Sequence, residues 1–209
     1  MPLRVKEGVI IPVARSTKPK LLSGSLDDIA VLPVEVPAAP GEPNKRLVVQ
    51  TVRQVRDMWC WAACAEMVLR FFGASLDKCN VAGLQLKRDC CNSSSAECDK
   101  GLSVEEVDQA FGRARLAGRR FDREVSFDDI VKQIGGNPPR PMVAGIRWER
   151  GGGHLVVISG WRIADSRQFV KVNDPIYTSG DIQYEDLVQR YGPNDSGKWE
   201  HTWTDLRRV

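Results

Sequence analysis

Residues 54–72 read QVRDMWCWAACAEMVLRFF, a helical pattern with a cysteine near its start. Met58, Trp61, Ala62, Ala65, Val68, Leu69 and Phe72 recur at spacings of three and four, which predicts a helix with one broad apolar face. Asp57 is the expected N-cap and Gly73 the expected stop. Cys60 then falls in the first turn, where unpaired backbone N–H groups and the positive end of the helix dipole concentrate. A thiolate gains stability there, and the thiolate is the nucleophilic form. Six residues upstream stands Gln54, a neutral side chain with two N–H donors. Its amide, set beside the backbone N–H of Cys60, would form an oxyanion hole.

A nucleophilic cysteine needs a base, and the chain holds two histidines, His154 and His201. His154 opens the run HLVVISGW directly after Gly151, Gly152 and Gly153. Glycines let a substrate backbone come close without side-chain collision. His201 lies in the alternating run KWEHTWT, as a packing or surface residue does. The base is therefore expected at His154. A third group has to accept a hydrogen bond from the far nitrogen of that imidazole. Asn173 and Asp174 both stand at the end of the next strand-like run, FVKVN, followed by Pro175. Val170 and Val172 alternate with Lys171 and Asn173, so Asp174 shares the face of the valines and Asn173 the face of Lys171. The expectation is Asp174, because a carboxylate holds an imidazolium more strongly than an amide does.

Gln54, five intervening residues and then Cys60-Trp61-Ala62, followed by GGGHLVVISGW and an Asp-Pro pair, resembles the papain-like cysteine peptidases. The resemblance spans residues 47–175. The plant and lysosomal signature C-G-[SA]-C-[WY] is missing, since Asp57, Met58 and Trp59 precede Cys60. The segment is closer to compact bacterial members: double-glycine-leader peptidases and effector proteases of plant pathogens. It implies an α+β papain-like fold, with an N-terminal helical lobe bearing the nucleophile helix and a C-terminal antiparallel sheet lobe. The implied catalytic set is Gln54, Cys60, His154 and Asp174, acting on a protein or peptide substrate without cofactor or metal. The same chemistry serves a deamidase or a transglutaminase-type acyl transferase, in which only the acceptor differs. A non-catalytic cysteine-rich binding module on such a scaffold is the third reading.

The first 47 residues differ from the rest. They hold Pro2, Pro12, Pro19, Pro33, Pro37, Pro40 and Pro43, seven of the twelve prolines. Such density excludes helix and discourages internal strands. Residues 1–47 read as an arm or pro-segment with short extended runs at Val9–Val13 and Ile29–Val36, and residues 48–209 as the peptidase domain. Leu47–Thr51 reads as a short β-like run. A second helix is expected over Ser75–Lys87. Ser103 and Glu106 form a capping box opening a third that reaches Arg115, and Ser126 caps a fourth ending at Gly135. The second half then changes period. Strands are expected at Pro141–Trp148, His154–Trp161, Phe169–Asn173 and Lys198–Thr204, with a short helix at Tyr184–Tyr191.

Cysteine usage separates into two groups. Cys64 follows Cys60 by one helical turn and reads as a buried free thiol. Cys79, Cys90, Cys91 and Cys98 fall within 20 residues. Adjacent cysteines rarely bridge, so Cys79 and Cys98 are expected to pair with Cys90 and Cys91, crossed or nested. A zinc site is disfavoured by the absence of a C-x2-C pair and of a nearby histidine. Such a stapled loop points to an oxidising environment. The net charge is +3 with 27% charged residues and no basic run, which argues against nucleic acid as a partner. The sequence holds no 18-residue apolar stretch and no signal-peptide pattern at its start. Export from a bacterium by a specialised route is the expected context, with a cytoplasmic peptidase as the alternative.

Overall fold

The computed structural model describes residues 9–10, 43–177 and 179–209. Three helices come first: α1 (Cys60–Phe71), α2 (Lys78–Leu86) and α3 (Val104–Arg113). Short strands β1 (Val9–Ile10), β2 (Asn44–Arg46) and β3 (Leu102–Ser103) belong to the same half of the sequence. The second half contributes β4 (Leu116–Phe121), α4 (Phe127–Gly135), β5 (Met142–Trp148), β6 (Gly153–Ala164), β7 (Arg167–Asn173), β8 (Gly180–Gln183), α5 (Tyr184–Gln189) and β9 (Gly197–Arg208). The main sheet is antiparallel in the order β4-β9-β5-β6-β7-β8, with β2 also paired to β6. This is the α+β arrangement expected, helices first and sheet second.

The sheet is covered on both faces. Val143, Leu155, Val157 and Trp203 pack into one core with α1, α2 and α3. Met142, Ala144, Ile146, Val156, Ile158, Val170 and Val172 pack into another with α4 and α5. Double burial explains why β6 reads as an unbroken apolar run rather than an alternating one. It also sets the burial of α1, whose residues Cys60 through Leu69 are all buried. The single apolar face read from the sequence is thus too narrow; the helix is enclosed all round. Its one buried charge, Glu66, is compensated by Arg70 at 2.5 Å and by the Lys78 backbone N–H at 2.7 Å.

The helix ends follow local chemistry, with one correction. Gly73, at φ +74°, and Ala74 donate backbone N–H groups to the carbonyls of Arg70 and Leu69, which is a Schellman closure at the expected stop. The start is not where the sequence suggests. α1 begins at Cys60 with Trp59 as N-cap, and no side chain caps it. Asp57 is not the cap; its carbonyl accepts from Gln54 in a turn that precedes the helix. The capping box of Ser103 and Glu106 is present, and Ser126 accepts from the Asp129 backbone N–H.

Three differences concern strands. Leu47–Thr51 is not a strand: the ladder lies at Asn44–Arg46, and beyond Leu47 the Val49 carbonyl and Thr51 hydroxyl accept from the Asn173 side chain instead. β4 and β8 carry little apolar signal, LAGRRF with a register shift and GDIQ, and were not expected. β8 is held in part by Asp181, buried and bonded to Arg162 at 2.8 Å and Arg46 at 2.7 Å. Of the arm, Val9–Ile10 is extended as expected and pairs antiparallel with β3. Ile29–Val36 and the rest of residues 11–42 lie outside the described residues.

Candidate active site

Antiparallel register brings the sheet part of the site together. β6 and β7 pair Val157 with Asn173 and Ile158 with Val172. Extending that register by one residue sets Asp174 beside Val156, on the face His154 also shares, two residues away. His154 and Asp174 are fully buried. The imidazole Nε2 lies 3.0 Å from Asp174 Oδ1 and 3.1 Å from Oδ2, straddling the carboxylate. Oδ1 further accepts from the backbone N–H groups of Ile176 (2.6 Å) and Tyr177 (2.8 Å), and Oδ2 from the Tyr191 hydroxyl (2.6 Å). Both carboxylate oxygens are therefore pinned, and the plane offered to His154 is fixed.

Electrostatics follow from these contacts. Burial works against charge on His154, but the Asp174 charge and hydrogen bond, with help from Cys60, more than reverse it and raise its pKa from 6.5 to about 10. Burial likewise opposes charge on Asp174; the His154 charge and the hydrogen bonds from His154, Tyr191 and Tyr177 outweigh it and hold the carboxyl below 3.8. Both groups are charged at neutral pH, as an ion pair inside the protein. Tyr191 moves the other way: burial first, then Asp174, pushes its phenol well above 10, so it stays a donor.

Aromatic rings enclose the imidazole. Trp148 stacks on it at 6.1 Å with 19° between planes, and Tyr177 meets it edge-on at 5.9 Å. Trp148 in turn needs glycine against it. A Cβ at Gly192 or Gly197 would come within 2.7 Å of the indole, and Gly192 has φ +79°. With Nε2 turned to Asp174, the other nitrogen, Nδ1, is buried with no oxygen or nitrogen partner. Cys60, a free thiol, interacts with this ring and raises its pKa.

Cys60 occupies the first position of α1, whose N–H has no acceptor within the helix. One turn on, Cys64 is also free, but its thiol donates to the Leu155 carbonyl at 3.2 Å, and burial pushes its pKa well above 9.0. Gln54 lies on the turn before α1. Its backbone N–H donates to Pro175, so the turn is stitched to the Asp174 loop. Both amide hydrogens of its side chain go to the Arg56 and Asp57 carbonyls, at 2.8 and 2.7 Å, and Oε1 is buried without a partner. His201 is elsewhere, with Nδ1 3.1 Å from Asp122. Asn173 faces away from His154 and bonds Ser159, Val49 and Thr51.

The sequence gives no signal for Tyr191, Trp148 or Tyr177 beyond their being aromatic; register and chain reversal bring them to His154. Among the described residues no group of three or more His, Cys, Asp or Glu is arranged to hold a metal ion. Disulfides Cys79–Cys91 and Cys90–Cys98 close the cysteine-rich loop, so the expected cross-pairing is present and crossed.

A free cysteine at a helix start, beside a buried histidine–aspartate pair carried on an antiparallel sheet, defines a papain-like cysteine peptidase. The sequence matches the profile of the Peptidase_C39 like family over residues 46–207, and the chain belongs to that family. Two solved structures share the fold. One is a double glycine motif protease from an AMS/PCAT transporter in complex with its leader peptide, 18% identical, TM-score 0.50, covering 79% of this chain and 95% of that one. The other is the peptidase domain of Streptococcus ComA, a bifunctional ABC transporter of a quorum-sensing pathway, 12% identical, TM-score 0.50, covering 77% and 99%. A comparison with curated protein sequences finds no match.

Proposed function

We propose that the protein is a cysteine endopeptidase working through Cys60, His154 and Asp174. The observation that carries this reading is the His154 imidazole, held by both Asp174 oxygens through Nε2 and left with Nδ1 unbonded beside Cys60. Cys60 attacks the peptide carbonyl as a thiolate. The protonated His154 gives its Nδ1 proton to the departing amine, and a water, deprotonated by the same nitrogen, hydrolyses the thioester. Asp174 fixes the tautomer and the charge throughout. The oxyanion forms against the Cys60 backbone N–H and the Gln54 amide. For this, Gln54 exchanges one of its two carbonyl bonds for the substrate oxygen.

An extended peptide is the substrate class this reading favours. β1 already lies antiparallel on β3 and within 8 Å, Cα to Cα, of β6, the strand of His154. Val9–Ile10 of the arm thus lies beside both β3 and β6, which supports a pro-segment role. Cys60 and His154 are both enclosed in this conformation, so a substrate must displace what covers them. Two disulfides support a site of action in an oxidising environment, and export as a bacterial effector or toxin fits that. No helix among the described residues is long and apolar enough to cross a membrane.

The test is incubation of wild type and Cys60→Ala with a peptide library, read by mass spectrometry. Cut peptides with wild type and none with the variant are expected. Glutamine converted to glutamate in uncut peptides would replace this reading with deamidation.

A further inference from the structure

We propose that the doubly crosslinked segment Cys79–Lys100 positions the nucleophile, so that the peptidase works only while its two disulfides are closed. This rests on the peptidase reading above. The turn ahead of α1 has no side-chain cap of its own. Beyond the bonds of Gln54 within the turn and to Pro175, what holds it comes from the cysteine loop. Asp99 Oδ1 accepts from the Met58 backbone N–H at 2.9 Å. The Cys98 carbonyl accepts from the Trp59 indole, and the Lys100 carbonyl from the Trp61 indole at 3.0 Å. Arg56 donates to the carbonyls of Ser93 and Ser95. Each bond lands within four residues of Cys60, and its partner stands 37 to 41 residues away in sequence.

The loop cannot hold that shape by packing. Between Arg88 and Gly101 the only apolar residue besides cysteines is Ala96. Order there comes from Cys90–Cys98, which closes the loop on itself, and Cys79–Cys91, which ties it to α2. Cys90 and Cys98 are themselves buried in the core that contains Trp59, Cys60 and Trp61. Opening the crosslinks returns a polar loop to many conformations, and the carbonyls facing Trp59 and Trp61 go with it. A small-molecule dithiol does this by exchange. Each protein disulfide takes up two electrons and two protons and becomes two thiols, and the dithiol leaves as its cyclic disulfide. Cys60 and Cys64 are free thiols and are not party to the exchange.

Full-length oxidised protein is compared with the same protein after dithiol treatment and removal of the reagent without air. Peptide hydrolysis should fall about 10²-fold in kcat, the scale of a displaced reacting group, and return on reoxidation. Alkylation of Cys60 at neutral pH, resolved by peptide mass spectrometry, should slow. Asp99→Ala, which keeps both disulfides, should lower kcat, and Asp99→Asn, which keeps the acceptor oxygen, should restore it. Full kcat in protein whose four loop cysteines are shown to be reduced overturns the proposal, as does Asp99→Ala matching wild type. If oxidised wild type cleaves no peptide, the peptidase reading fails separately. In that case equal or faster Cys60 alkylation after reduction still overturns the positioning role.

Discussion

The sheet half of the molecule holds His154 with backbone, and the helical half holds Cys60 with side chains and loop carbonyls. β6 is paired to β5 and β2 along one edge and to β7 along the other. His154 is buried on it and Asp174 follows directly from β7. Across the site, the turn 54–59 has no strand or helix partner of its own. Besides Gln54, bonded within the turn and to Pro175, it depends on Asp99, on carbonyls at Cys98 and Lys100, and on two disulfides. The two halves should therefore fail differently. Damage to the sheet side should alter acid–base behaviour, and damage to the helix side should alter the placement of the thiol.

The largest effects are expected at the groups proposed to react. Cys60→Ala and His154→Ala should each lower kcat by more than about 10⁴-fold, as nucleophile and base removal do elsewhere. Cys60→Ala should melt near wild type, whereas His154→Ala should melt lower because it leaves the buried Asp174 carboxylate without its partner. His201→Ala should leave hydrolysis intact. Asp174→Asn should cost about 10³–10⁴-fold in kcat, the scale seen when an orienting carboxylate is neutralised. It should also move a pH limb. The His154 pKa of about 10 depends on the Asp174 charge, so the alkaline fall of activity should shift from near 10 towards 6.5 in the variant. Stability carries the same signature. A raised folded pKa means the contribution is full below 6.5 and is lost as pH rises towards 10. Wild-type melting temperature should decline across that window, and Asp174→Asn should flatten the decline.

The pairing of His154 with Asp174 was legible in the sequence for a physical reason. Strand alternation separates Asn173 from Asp174 whatever the surroundings, and only two histidines were available. The start of α1 was not legible. Asp57 has the right chemistry for a cap, but the Trp59 N–H it would take donates to the Arg56 carbonyl, and the Met58 N–H is held by Asp99, 41 residues on. Nor was the role of Asn173, weighed only as the other candidate beside His154. It is buried and holds the 49–51 segment against β7. Contacts of long sequence separation leave no local pattern, and Tyr191 on Asp174 is another of them.

Smaller effects probe these contacts. Gln54→Ala should reduce kcat about 10²–10³-fold with KM unchanged, as loss of one oxyanion donor does; a change confined to KM would make it a binding residue instead. Tyr191→Phe keeps the ring but removes a buried bond to a carboxylate. It should cost about 1.5–3 kcal/mol of stability, seen in denaturant unfolding, with a fall in kcat smaller than that of Gln54→Ala. Asn173→Ala should cost about 1–3 kcal/mol of stability through the acceptors it leaves unpaired, while kcat changes least of all.

The most direct measurement uses an epoxide inactivator of cysteine peptidases on the oxidised full-length protein, with the labelled residue located by mass spectrometry. Two free thiols compete, one turn apart on α1: Cys60 beside His154, and Cys64 bonded to the Leu155 carbonyl. The expected result is one label on Cys60, none on Cys64, activity lost in proportion to labelling, and little reaction in His154→Ala. Labelling of Cys64, or undiminished labelling of Cys60 once His154 is gone, would contradict the account.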